Sequence, residues 1–237
     1  MKFIAALCML IDHIGFAFYP DDLRWRIIGR LAMPIFAYGI ARGAFYTASL
    51  KRYMKKMLLF SFVSQVPFWA MQYMGIGGAF FSLRLNVGFT FLLALMTIVL
   101  LNESEIGYKK LKEVSIEHKE PMNKVFMLGG AFCCIVLADL LKCDYGSYGV
   151  LMVLMGYFIF LKGEKLWMMI AGYLGLTILF YNANISLCLL QSIGVLSYAI
   201  IYRTRCWNEK KFGKYFYIFY PLHMLIIAGV KWWQINS

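Results

Sequence analysis

The amino-acid sequence predicts an all-α, polytopic transmembrane helical bundle of about nine spans with its N-terminus in the cytoplasm. Three observations predict it. Of the 237 residues, 62% are hydrophobic, 15% are charged and the mean hydropathy is +0.67, whereas ordinary globular chains are roughly half apolar and a quarter charged. One core of this size cannot hide such a surplus. The apolar residues fall into charge-poor runs of helical length separated by short polar gaps, and the basic residues are distributed unequally between alternate gaps.

The runs follow in order. The first, 3–20, resembles a signal peptide in its Lys2 start, but it lacks a small-residue cleavage site and carries Asp12 and His13 midway, so it reads as a retained signal-anchor. The second, 27–48, is long enough to cross, and so are 53–73, 85–101 and 124–141. The runs 146–161 and 166–181 lie at or under the lower length limit, as tilted or re-entrant segments do. The last two are 185–202 and 214–233. The whole chain, 1–237, reads as a single transmembrane domain with a mixed-charge cytoplasmic loop at 102–123.

Orientation comes from Lys and Arg. Of the 24, 17 lie at the N-terminus and in every second gap after it, five lie in the other gaps, and Arg30 and Arg42 lie inside the second run. The net charge of +12 therefore decorates membrane edges and does not point to nucleic acid. The high aromatic content, 18%, suits interfacial belts. The six cysteines include no CxxC pair, so neither a disulfide framework nor a zinc or other metal site is implied.

Ionisable groups inside apolar runs are costly and are retained mainly where they have a partner or a task. Five qualify: Asp12, His13, Arg30, Arg42 and His223, with Gln65, Asn86 and Gln191 as a weaker set. Asp12 and His13 lie roughly 15 Å along the first helix, near midplane. Adjacent residues diverge by about 100° on a helix, so the two face different neighbours. Lys2 and His13 share a face, and Asp12 is free to meet Arg30. His223 lies at similar depth in the last run, two residues after Pro221, whose missing donor loosens the helix there.

These residues also carry a resemblance. Lys2-Phe-Ile-Ala-Ala-Leu-Cys-Met-Leu-Ile-Asp-His-Ile-Gly15, Arg26-Ile-Ile-Gly-Arg-Leu-Ala-Met-Pro-Ile-Phe-Ala-Tyr38 and Lys214-Tyr-Phe-Tyr-Ile-Phe-Tyr-Pro-Leu-His223 resemble the TraX family. Ser64–Phe68, Leu85–Thr90 and Asp144–Gly149 agree with it. The resemblance implies a multi-pass protein of the cytoplasmic membrane with a single acyltransferase-like domain, related to membrane acyltransferases that have a basic residue, ten intervening residues and a histidine in the first span, as Lys2 and His13 are placed here. The named member acetylates the N-terminus of pilin. By that likeness the expected function is transfer of an acetyl group from cytoplasmic acetyl-CoA to an amine or hydroxyl, on a pilin, other peptide or glycan, at the outer side.

The expected roles follow. His13 deprotonates the acceptor or carries the acetyl group transiently, with Asp12 and His223 as further catalytic candidates. Lys2, Arg30, Arg42, Arg52, Lys55 and Tyr220 are candidates for holding acetyl-CoA, with Lys51 and Lys56 adding positive charge for its phosphates. Two other classes fit buried His, Asp and Arg: a proton-coupled permease and an assembly factor whose charges only fix packing. The odd span number and the lack of an internal repeat weigh against the permease.

Overall fold

The structure is a computed structural model describing residues 2–75, 84–103, 124–163, 165–181, 185–203 and 213–237. The charged loop from residue 104 onward lies outside the described residues. Those described form ten helices: α1 Lys2–Phe18, α2 Leu23–Gly29, α3 Ala32–Tyr46, α4 Leu50–Gly75, α5 Val87–Glu103, α6 Lys124–Leu140, α7 Gly146–Leu161, α8 Leu166–Tyr181, α9 Ile185–Arg203 and α10 Gly213–Asn236. The one β feature among them is an isolated parallel bridge between Leu85 and Cys143. The all-α expectation therefore holds.

Three finer expectations need correction. Run 27–48 is not one helix but two, α2 and α3, broken at Arg30 and Leu31. Pro34 explains the break: it has no N–H to donate to the Arg30 carbonyl four residues back. The count of nine membrane spans is also unsupported, because among the described residues no helix is long and apolar enough to cross a membrane. α1, α5 and α6 have 17 residues each, and α7 and α8 have 16. At 1.5 Å per residue these fall short of a hydrocarbon layer about 30 Å thick. The longer α4 begins with four Lys or Arg residues, and α10 carries Lys214 and Lys231. Pro221 does not open its turn, since α10 runs through it unbroken.

The helices pack around α3 and α7. α3 lies against α7, α1 and α9; α7 against α3, α5, α6 and α8; and α10 against α4 and α1. Small residues permit the α3–α7 approach. Ala37, Ala41 and Ala44 are buried along one side of α3, and a Cβ on Gly156 of α7 would come within 3.0 Å of the Ala41 methyl. Small side chains at such crossings let backbones close and gain dispersion energy.

The α2–α3 break is capped by α9. A Cβ on Gly194 would lie 2.5 Å from the Arg30 carbonyl oxygen and 3.2 Å from the Leu31 nitrogen, both backbone atoms that cannot rotate away. Gly194→Ala is therefore expected to lower stability by about 1–3 kcal/mol, the usual cost of overpacking. Thermal unfolding of the purified variant checks this; an unchanged Tm would show that α9 can retreat.

A buried amide network pins the connection into α5. Gln65 Nε2 and Trp69 Nε1 donate to the Arg84 carbonyl, and the Arg84 N–H donates to Gln72. Asn86 donates from its backbone N–H and its Nδ2 to Gln65 Oε1 and from Nδ2 to the Ser61 carbonyl, while its Oδ1 accepts from Gly88 N–H. Leu85 N–H donates to Lys142 O, Asp144 N–H donates to Leu85 O, and the Thr90 hydroxyl donates to Asp144 O. Irregular backbone is tolerated inside a low-dielectric bundle only when its polar groups are paired in this way. The network holds residues 84–86 beside 143–145, and so places Arg84 and Asp144 together.

Candidate functional site

His13 of α1 and His223 of α10 meet. His13 Nδ1 lies 2.8 Å from His223 Nε2, and His223 Nδ1 lies 2.8 Å from the Phe219 carbonyl. The ring planes differ by 8° with centroids 5.0 Å apart. That spacing is what an N···N contact of this length plus two ring radii requires, so the rings sit edge to edge in one plane. The partners fix the tautomers. A carbonyl only accepts, so His223 Nδ1 carries a proton and donates it. With both rings neutral, His223 Nε2 then offers a lone pair, and His13 Nδ1–H donates to it. The second nitrogen of His13, Nε2, is left with a lone pair. Both histidines are buried.

Two cavities meet at Phe36, and His13 lines one of them. The larger, about 640 Å³, is lined by α3 from Phe36 to Tyr46, by Ser49, by Arg52, Tyr53 and Lys56 at the basic end of α4, and by Phe216 and Tyr217. The smaller, about 270 Å³, is lined by Met33 and Phe36 of α3, by Asp12 and His13, and by a charged group around Arg30. Phe36 lines both. Around it the rings of Phe36 and Phe216 are 4.8 Å apart, Phe60 and Phe216 6.2 Å, and Phe60 and Tyr220 5.2 Å. An aromatic partition therefore separates a cavity at the basic end from one at the opposite end, with His13 on the second side.

Comparison with known proteins places the chain. A family model described as TraX protein matches residues 1–231. The chain belongs to the TraX family. It is 26% identical over 251 aligned positions to a probable fimbrial assembly protein, FimC, serogroup H1, of Dichelobacter nodosus, covering 98% of this chain and 94% of that one. A shorter stretch of 38 residues is 50% identical to an uncharacterised protein of Rickettsia prowazekii (strain Madrid E), covering 16% of this chain and 15% of that one. No solved structure matches it.

In this TraX chain the expected site residues divide between the two cavities. Arg52 lines the larger one. Lys51 and Lys55 are exposed on the same turns of α4 but do not line it, while Lys56 does. Arg42 is exposed, its guanidinium 5.9 Å from the Tyr46 ring centroid. The side chain of Lys2 lies outside the described residues. Arg30 is not with Arg52: it lines the smaller cavity together with Tyr220. Tyr220 is buried, 6.4 Å ring to ring from His13. Asp12 meets Arg26, not Arg30, at 3.6 Å. Gln65 and Asn86 serve the amide network.

Five polar residues of the smaller cavity were not singled out by the sequence: Arg26, Arg84, Asp144, Tyr145 and Tyr181. Tyr145 has φ 64°, a left-handed conformation that non-glycine residues rarely adopt, and Gly146 follows at φ 47°. Such strain persists where surrounding structure over-determines it, here the Leu85–Cys143 bridge and the Thr90 bond. Asp144 lies in the same connection. Burial pushes its carboxyl up to about 6, Asp12 adds to the rise, and Arg30, Arg84 and Arg26 oppose it.

Proposed function

We propose that this chain is a membrane-embedded acetyltransferase with a pilin-related role, taking the acetyl group from acetyl-CoA at its basic end and delivering it to an amine or hydroxyl at the opposite end. The observation that carries the reading is the His13–His223 pair, with an unprotonated His13 nitrogen beside a partition between two cavities. The larger cavity has the size of a cofactor or nucleotide pocket, and Arg52 and Lys56 suit the phosphates of CoA. His13 Nε2 takes the proton of the acceptor as its nitrogen or oxygen attacks the thioester carbonyl. The carbon–sulfur bond breaks, and the sulfur leaves toward the larger cavity as the thiolate of CoA. Attack by Nε2 itself, through a transient acetyl-histidine, uses the same lone pair.

Membrane embedding is supported by the outer faces of the helices. On α4, Leu58, Leu59, Phe62, Val63 and Val66 form a stripe at helical spacing, each at least 40% exposed. Leu222, Leu225 and Ile226 are likewise exposed on α10, and Phe126 and Phe132 on α6. Apolar surface on several outer helices needs a cover, and a cytoplasmic membrane supplies one. The short helices are then accommodated by local thinning of the bilayer. The family and the fimbrial-assembly name of the Dichelobacter relative support a pilin or other envelope peptide as acceptor.

Purified protein with radiolabelled acetyl-CoA tests the reading: label should appear on a pilin-type peptide or small amine. Absence of transfer, hydrolysis and binding under every acceptor condition would sink it. Within that assay, Arg52→Ala is expected to raise the apparent KM for acetyl-CoA about tenfold or more, the worth of a charge-assisted hydrogen bond. Arg42→Ala should change it less. The same KM in both variants would place the nucleotide elsewhere.

A further inference from the structure

We propose that the smaller cavity is an acceptor subsite selecting an acceptor that carries an anionic group, a carboxylate or a phosphate, held by Arg30 and Arg84. The inference rests on the acetyltransferase reading only for the word acceptor; the anion site stands on its own geometry. The cavity is lined by three arginines, Arg26, Arg30 and Arg84, and by two aspartates, Asp12 and Asp144. Asp12 is committed to Arg26 at 3.6 Å. Among the described residues Arg30 and Arg84 form no ion pair with a carboxylate, and the Arg30 Nε is buried without a hydrogen-bond partner.

An always-charged guanidinium with an unused buried donor is costly unless an acceptor completes it. The second carboxyl cannot fully do so, since three positive groups face two acids. One negative charge balances the chamber, and a carboxylate or phosphate has the paired oxygens that match a guanidinium fork.

Asp12, which also lines the cavity, carries a complementary orphan. Asp12 Oδ1 is buried without a partner, and an oxygen of that kind takes an N–H or O–H. An acceptor with a nucleophilic amine or hydroxyl at one end and an anion at the other satisfies both orphans at once. Its nucleophile then lies on the Asp12 and His13 side, and its anion on the Arg30 and Arg84 side. A volume near 270 Å³ admits one small unit, such as a chain terminus or a single modified residue, and not the whole of CoA.

The experiment uses the full chain in detergent or nanodiscs with three probes: phosphoethanolamine, β-alanine and ethanolamine. Binding is read by thermal shift and by calorimetry, neither of which needs turnover. Phosphoethanolamine, β-alanine or both should bind, and ethanolamine should bind about tenfold to a hundredfold more weakly, the worth of a charge-assisted hydrogen bond. The arm that binds better names the phosphate or the carboxylate. Arg84→Gln should remove the preference; Arg84 is exposed and its backbone is held by Gln65, Trp69 and Gln72, so the variant keeps its fold. Arg30→Gln should act alike.

Equal binding of the three probes, an undiminished preference in Arg84→Gln, or displacement of phosphoethanolamine by CoA would each overturn the proposal. The two readings fail separately. Anion-selective binding without any acetyl transfer leaves the site and removes the enzyme; acetyl transfer to ethanolamine as fast as to phosphoethanolamine does the reverse.

Discussion

His13→Ala is expected to reduce acetyl transfer by about 10²–10⁴-fold, the usual contribution of a positioned general base, while acetyl-CoA binding stays near normal. The expectation follows from which nitrogen is free. Nδ1 is committed to His223 and Nε2 alone has a lone pair, so direct proton abstraction and acetyl-histidine formation depend on the same atom. Alanine also leaves a cavity between α1 and α10, and a lost fold would mimic lost chemistry. His13→Asn separates the two. Its amide nitrogen can occupy the position of Nδ1 and still donate to His223, but it places no base where Nε2 was. His13→Asn should therefore keep Tm and acetyl-CoA affinity and share the catalytic loss. Single-turnover assays with labelled acetyl-CoA, paired with equilibrium dialysis, measure both quantities. Turnover within about tenfold of the parent in His13→Asn would remove this histidine from the chemistry.

Much of this arrangement was legible in the sequence because membrane-like apolar runs make an ionisable residue conspicuous. His13, His223, Asp12 and Arg30 were found that way, and eight of the nine runs became single helices. The ninth was divided because Pro34 acts on a carbonyl four residues back, and a charge-poor run conceals such a local break. Arg84, Asp144 and Tyr145 were missed for the opposite reason. They sit at the ends of runs, where a charge or a tyrosine looks like an ordinary edge residue. Only the pairing of 84–86 with 143–145 brings them to one cavity, and that pairing joins segments nearly sixty residues apart. The partner of Asp12 was likewise a matter of packing. Gly29 lets the Asp12 side chain lie where a Cβ would stand, and this close fit of α1 on α2 brings it to Arg26, one turn before Arg30. The division of cations between two cavities has no trace in the sequence, because Arg30 and Arg52 are both simply basic residues near an apolar run.

His223 offers the second large effect, and its variants distinguish positioning from packing. His223 reaches His13 through one hydrogen bond; it is a positioning residue that accepts from His13 Nδ1–H and stabilises the imidazolium formed when Nε2 takes a proton. A hydrogen bond to a charged group is worth about 1.5–3 kcal/mol, or roughly tenfold to two-hundredfold in rate. His223→Phe keeps the ring volume between Phe219, Tyr220 and His13 but removes both ring nitrogens, and is expected to lower kcat by that factor with little change in the KM for acetyl-CoA. His223→Gln places its amide oxygen near the position of Nε2 and can still accept from His13, so it should recover most of the rate. His223→Asn places its amide near Nδ1, keeps the bond to the Phe219 carbonyl and leaves His13 without an acceptor; it should behave like phenylalanine. A purely structural role predicts a different order, with phenylalanine best tolerated because it conserves stacking with Phe219 at 4.8 Å. Ranking kcat as parent, then Gln, then Asn and Phe together supports the relay. Phenylalanine at parental kcat, or glutamine no better than asparagine, assigns His223 to packing alone.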